Sequence, residues 1–185
     1  IRSGYAEIIK HALIKDYAFF NWLEKNANKL LNLNKSILEQ AIYKSIMIKL
    51  YYVIKDEKEF LSNNNSRAML NFGHTIGHAI ESHYNYQKFN HGEAISIGMI
   101  TEAKISNYLG LLSSKELEKI MIHFKKCRLK IYDKILKDRI LIKILAKDKK
   151  NFQNNINFSL INQIGSSIFY KKLDKDQVYK ILKKI

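Results

Sequence analysis

The sequence predicts a mostly α-helical fold in a single domain spanning residues 1–185, with at most a short β hairpin. Three observations carry that expectation. The chain has no proline and only seven glycines, so it lacks the turn clusters that punctuate β-rich proteins. Apolar residues recur at helical spacing through most of its length. Strand-like alternation is confined to one brief stretch, residues 157–161. At 185 residues the chain is long enough to bury a real core.

In order along the chain, residues 4 to 24 read as one helix: Ala6, Ile9, Leu13 and Ile14 form an apolar stripe, continued by Phe19, Phe20, Trp22 and Leu23. Glu7 and Lys10, three apart, project to the same side, as the partners of a surface ion pair do. Residues 35 to 55 form a second helix, with Ile37, Leu38, Ala41, Ile42, Ile46, Met47 and Leu50 at helical spacing. A polar loop follows, from which Asn65 or Ser66 caps the next helix. After a connection at 85–90, His91-Gly92-Glu93 opens a helix over about 92–109, rich in Ala, Ile, Gly and Met, hence central and buried, with Gly110 as its stop. Ser113 or Ser114 caps a basic amphipathic helix to about Lys130, residues 131 to 147 are apolar-periodic, and Asp174 caps a last helix over 175–184.

The net charge of +15 raises the question of nucleic acid. The lysines are scattered, arginines are few, and no aromatic residues interleave with a basic stripe, so the charge is read as solvated faces and no nucleic-acid partner is expected. A single cysteine, Cys127, excludes a disulfide framework and fits a reducing, cytoplasmic setting. No run approaches the roughly 20 apolar residues of a membrane span, so no membrane partner is expected either. The chain opens on Ile1, already in helical pattern, as an excerpt whose N-terminal part is missing would.

Chemistry-bearing residues concentrate between Arg67 and His91. On a helix, Arg67, Asn71, His74 and His78 step by four, three and four residues and share one face. Gly73 and Gly77 each cost such a helix about 1 kcal/mol against alanine, a cost understandable where another backbone or a ligand comes close. Two imidazoles one turn apart, a third histidine at a helix start and an upstream glutamate are a possible zinc donor set. Spacing alone leaves open which of His74 and His78 ligates.

Several motifs, in one order along the whole chain, resemble those of the 3-dehydroquinate synthases. Gly4-Tyr5-Ala6-Glu7-Ile8-Ile9-Lys10 is similar to that family's GxAExIK motif, Arg67 to His78 to its RxxxNxGHTxGH signature, and His91-Gly92-Glu93-Ala94 to its HGEA. Lys147-Asp148-Lys149-Lys150 is similar to its DKK segment and Ile164-Gly165 to the pair that follows. The match corresponds to the family's C-terminal helical domain, the N-terminal, Rossmann-like NAD-binding domain being absent from this sequence.

The resemblance implies that Glu7, His74 and His91 hold Zn2+ (or Co2+), that His78 handles protons, and that Lys10, Lys49, Arg67, Asn71 and His78, with Lys149 or Lys150, bind the substrate. It puts Ser3 at the border of the NAD. The family's catalytic glutamate stands four residues before the arginine, a position occupied here by Asn63. The ten-residue interval from Lys49 to Glu59 is kept, so a four-residue insertion within 60–66 leaves Glu59 as the counterpart, joining Lys10 and His78 among the implied catalytic residues.

The activity so implied is conversion of a small sugar phosphate, 3-deoxy-arabino-heptulosonate 7-phosphate, to 3-dehydroquinate and phosphate in the shikimate route to chorismate and the aromatic amino acids. The reaction would run by transient NAD oxidation, phosphate elimination and aldol closure in a cytoplasmic homodimer; the 185 residues by themselves are expected to show no turnover. The rivals are another sugar-phosphate cyclase, of the inosose or valiolone type, and a metal-dependent polyol or alcohol dehydrogenase, against which the basic set Lys10, Lys49, Arg67 and Lys149/Lys150 argues.

Overall fold

A computed structural model describes residues 1–147 and 155–185. Through them the helical expectation holds, with α-helices, two short 3-10 helices and one β hairpin. The single helix expected over 4–24 is instead two, α1 (Arg2–Lys15) and α2 (Tyr17–Leu31). Asp16 parts them. Its backbone is extended, and its side chain accepts a hydrogen bond from the Phe19 N–H at 2.8 Å, capping α2. The break is anchored from far along the chain, where the Gly165 N–H donates to the Leu13 carbonyl at 2.7 Å.

The helix α3 (Lys35–Lys55) has the expected bounds, but its core-facing stripe is Ala41, Ser45, Ile48 and Tyr52. Ile42, Ile46, Met47 and Leu50 lie exposed, because that stripe turns toward α1 and α2. Beyond the loop come α4 (His74–His83) and α5 (His91–Tyr108). Asn90 and Glu93 form a reciprocal capping box at the start of α5. Ser113 caps α6 (Ser114–Lys126), and α7 (Arg139–Ala146) follows a 3-10 turn at Lys134–Lys137.

Strands β1 (Asn155–Gln163) and β2 (Ser166–Asp174) pair antiparallel, and Asp174 caps α8 (Lys175–Lys184). The hairpin is longer than the five residues that alternation suggested. Phe158 to Ile161 are all buried, so period-two patterning, the usual signal, is blurred there.

Two hydrophobic clusters meet at α5. Ile95, Met99, Ile100 and Ala103 pack with α1, α2 and α6, whereas Ala94, Ile97 and Ile105 pack with α7, α8 and β1. This helix is the central, buried one its composition suggests. No helix among the described residues is long and apolar enough to cross a membrane.

Two histidines sit in the core as hydrogen-bonded neutral rings. His11 Nδ1 lies 2.6 Å from Ser45 Oγ, and His123 Nε2 lies 3.0 Å from the Tyr5 hydroxyl. Burial, with nearby lysines, pulls both down to about 4. A depressed folded-state value means that the unfolded chain takes up the proton first as the pH falls below about 6.5. Stability should therefore be complete above pH 6.5 and decline toward pH 4, by on the order of 3 kcal/mol for each ring. Urea midpoints measured across that window should fall, and His123→Phe should flatten the slope.

Candidate metal centre

The centre depends on how closely α4 lies against α5. A Cβ on Gly98 would sit 2.0 Å from the Gly73 carbonyl oxygen, and one on Gly77 would sit 2.6 Å from Ile95 Cδ1. The close partner that these glycines admit is thus the α5 backbone. Gly73 itself has φ +81° and immediately precedes α4, so it is not in a helix interior. Arg67–Asn71 is a separate 3-10 turn, capped by Ser66, and the continuous helix expected from Arg67 through His78 is corrected accordingly. His74 and His78 keep their i, i+4 relation, whereas Arg67 and Asn71 belong to a different axis.

The buried Glu102 carboxylate on α5 accepts from the Gly73 N–H at 2.6 Å and the Ile76 N–H at 3.1 Å. It fills the role of a cap at the start of α4, supplied from another helix. Burial pushes its carboxyl up to about 8, against the pull of those N–H donors.

Around this join the structure brings Glu7, His74 and His91 together. Glu7 Oε1 lies 3.9 Å from His74 Nε2 and 3.7 Å from His91 Nε2. Each residue is held from behind. Lys10 Nζ donates to Glu7 Oε2 at 2.7 Å, His74 Nδ1 meets the Phe72 carbonyl at 3.2 Å, and His91 Nδ1 meets Glu81 Oε1 at 3.0 Å. Since a carbonyl can only accept, His74 Nδ1 carries the proton and Nε2 keeps its lone pair. Burial and Lys10 hold His74 at about 3, so the ring is neutral at physiological pH.

Glu7 Oε1 is buried yet accepts no hydrogen bond among the described residues, a costly state for a carboxylate oxygen. Three donor atoms converging without bonding one another, one of them otherwise orphaned, fit a divalent ion. Ligands of a tetrahedral zinc at about 2.0–2.1 Å stand roughly 3.3 Å apart, slightly closer than the separations here.

The pair Glu7–Lys10 is no surface ion pair: Lys10 is 3 % exposed. Burial lowers the ammonium from its ordinary value, with Glu7 opposing. On Glu7, burial works upward, but Lys10 and the imidazoles outweigh it and hold the carboxyl low. Lys49, exposed on α3, is near enough for its charge to lower Lys10 further.

Arg67 is aimed by a carboxylate that sequence reading passed over. Asp56 accepts from the N–H groups of Phe60, Leu61 and Arg67 and from the Ser66 hydroxyl, at 2.7–3.1 Å. This gathers the 57–66 loop and brings Glu59 Oε1 to 3.5 Å from Arg67 Nε. Asn63 instead accepts from the Asn65 N–H within the loop. Asn71 ends the 3-10 turn just before α4.

His78, His91, Glu81 and Lys147 line a cavity of about 640 Å³. Lys149 and Lys150 lie outside the described residues. Ser3 Oγ accepts from the Gly92 N–H at 3.0 Å, tying α1 to the start of α5 beside a cleft of about 420 Å³.

Residues 4–151 match the family described as 3-dehydroquinate synthase C-terminal. The chain belongs to that family. Among curated 3-dehydroquinate synthases it is 40 % identical over 181 residues to that of Thermodesulfovibrio yellowstonii, covering 97 % of this chain and 49 % of the relative. To that of Halalkalibacterium halodurans it is 39 % identical over 183 residues, covering 98 % and 49 %. The chain thus spans about half the length of the curated 3-dehydroquinate synthases it matches.

In fold it is similar to the 2-epi-5-epi-valiolone synthase of Streptomyces hygroscopicus subsp. jinggangensis, solved with NAD+ and Zn2+ bound (TM-score 0.83, 22 % identity, 98 % of this chain and 49 % of that one). It is also similar to a 2-deoxy-scyllo-inosose synthase complexed with carbaglucose-6-phosphate, NAD+ and Co2+ (TM-score 0.72, 21 % identity, 99 % and 51 %).

Gly98→Ala, which drives a methyl into the Gly73 carbonyl, should cost at least about 3 kcal/mol. Urea unfolding checks this.

Proposed function

We propose that the protein acts as a metal-dependent 3-dehydroquinate synthase, eliminating phosphate from 3-deoxy-arabino-heptulosonate 7-phosphate and closing the product ring, in the cytoplasm and as a homodimer. The observation that carries this reading is the convergence of Glu7 Oε1, His74 Nε2 and His91 Nε2 beside the cations Lys10 and Arg67. Relatives of that name at 35–40 % identity support the choice of substrate.

The ligands would be Glu7, His74 and His91; a bound Zn2+ or Co2+ would supply Lewis acidity toward the hydroxyls of the substrate. Lys10 offers a point charge and Arg67 a planar fork to the substrate's anionic groups. Lys49 and Asn71 extend that set, as does whichever of Lys149 and Lys150 faces the substrate. Glu59, paired with Arg67, fixes the direction of the fork. His78, exposed at the cavity and one turn from His74, is positioned to pass protons to solvent or to the leaving phosphate.

Ser3 borders the nicotinamide dinucleotide. The adjoining cleft carries Arg2, Arg128 and Lys130, a donor set suited to an anionic cofactor. The likeness in fold to valiolone and inosose synthases favours testing their sugar phosphates alongside. A polyol dehydrogenase has no use for the cations gathered here.

Metal content tests the centre: the wild type should hold one zinc per chain, and His74→Ala and His91→Ala should lose it. In the full-length polypeptide with NAD and Zn2+, phosphate should be released from 3-deoxy-arabino-heptulosonate 7-phosphate and not from the rival sugar phosphates. In that assay His78→Ala should lower kcat by about 10²–10⁴-fold. Arg67→Lys should lower kcat/KM by about tenfold or more through loss of the fork.

A further inference from the structure

Each candidate ligand has a partner behind it, but the three partners differ in kind. His74 leans on a backbone carbonyl, and Glu7 leans on Lys10, which also faces the substrate. His91 alone is backed by a side chain with no other assignment. That side chain is Glu81, on the last turn of α4, 6 % exposed, with Oε1 3.0 Å from His91 Nδ1. The His91 side chain is itself about half exposed, and its other ring contacts are the faces and edges of His74 and His78, at 5.6 and 6.2 Å between centroids. Those contacts fix no tautomer.

A neutral imidazole has one N–H and one lone pair. Facing a carboxylate at hydrogen-bond distance, Nδ1 takes the proton, and the lone pair falls to Nε2, the atom directed at Glu7 Oε1 3.7 Å away. Left to itself in water, histidine prefers the opposite tautomer, with the proton on Nε2, which presents a donor where an ion needs an acceptor. The carboxylate also raises the basicity of the ring it holds.

We propose that Glu81 is a positioning residue for the metal centre: it holds His91 as the Nδ1–H tautomer, with Nε2 turned toward Glu7 and His74. The inference rests on the metal reading above, and its test separates the two.

Zinc affinity is measured by competition with a chromophoric chelator for the wild type, Glu81→Ala, Glu81→Gln and His74→Ala. Ring ¹⁵N shifts of His91 are recorded in the metal-free proteins. Glu81→Ala should bind zinc about 10–100-fold more weakly, and its His91 should shift toward the Nε2–H form. Glu81→Gln can still accept from Nδ1–H through its amide oxygen, so it should keep the wild-type tautomer and recover part of the affinity. A purely structural role for Glu81 would leave the metal-free tautomer unmoved.

If Glu81→Ala binds zinc as tightly as the wild type while His74→Ala does not, the positioning role is overturned and the metal reading stands. If wild type and His74→Ala bind zinc equally, the metal reading fails. The ¹⁵N shifts then decide alone, and an unchanged Nδ1–H tautomer in Glu81→Ala overturns the role. Should Glu81→Ala fail to fold, Glu81→Asp, which draws the carboxylate back by one methylene, carries the same comparison.

Discussion

The apposition of α4 and α5 is the constraint on which the rest of the site depends. A helix bearing His74 and His78 must lie close enough to a second helix, opening at His91, for three imidazoles to share one small volume. Side chains at 73, 77 or 98 would hold the two backbones apart. Glu102 then fixes the start of α4 through its own N–H groups, so the axis along which His74 and His78 project is set by a residue on the neighbouring helix. The site is a property of the joint and not of either element.

Burying Lys10 against Glu7 has a comparable logic. Taking two charges out of water is expensive, and the arrangement is sustained only if both find partners. Lys10 satisfies one carboxylate oxygen and leaves the other, Oε1, without a donor. The stabilised ion pair thereby produces a directed, unsatisfied acceptor. Neutral His74, kept so by the same burial and by the nearby ammonium, contributes a lone pair and no repelling charge.

Much of this was legible in the sequence, for identifiable reasons. Helix bounds followed apolar periodicity where one face is buried, as in α3, α5 and α8. The residues at the centre stood out because histidine and arginine on an otherwise apolar stretch ask for an explanation. What escaped was tertiary. Asp16 breaks a good helical pattern because a distant glycine docks there, and Gly73 ends the 3-10 turn because Met99 and Glu102 occupy the space around it. Glu102 and Glu81 looked like ordinary helical acids, although a lone glutamate amid the Ala, Ile and Met of α5 was a readable sign. Asn90 with Glu93 was a readable capping box. Which face of α3 is covered could not be told, because the helix is apolar on more than one side.

Asp56 has a bearing on how such proteins change over generations. Its two oxygens fasten both ends of the 57–66 loop, at Phe60 and Leu61 on one side and at Ser66 and Arg67 on the other. The residues between are tethered only at their ends, so additions there lengthen a slack segment without transmitting displacement to the arginine. An insertion beside a reactive centre, ordinarily disruptive, is in this geometry absorbed like extra rope between two pegs.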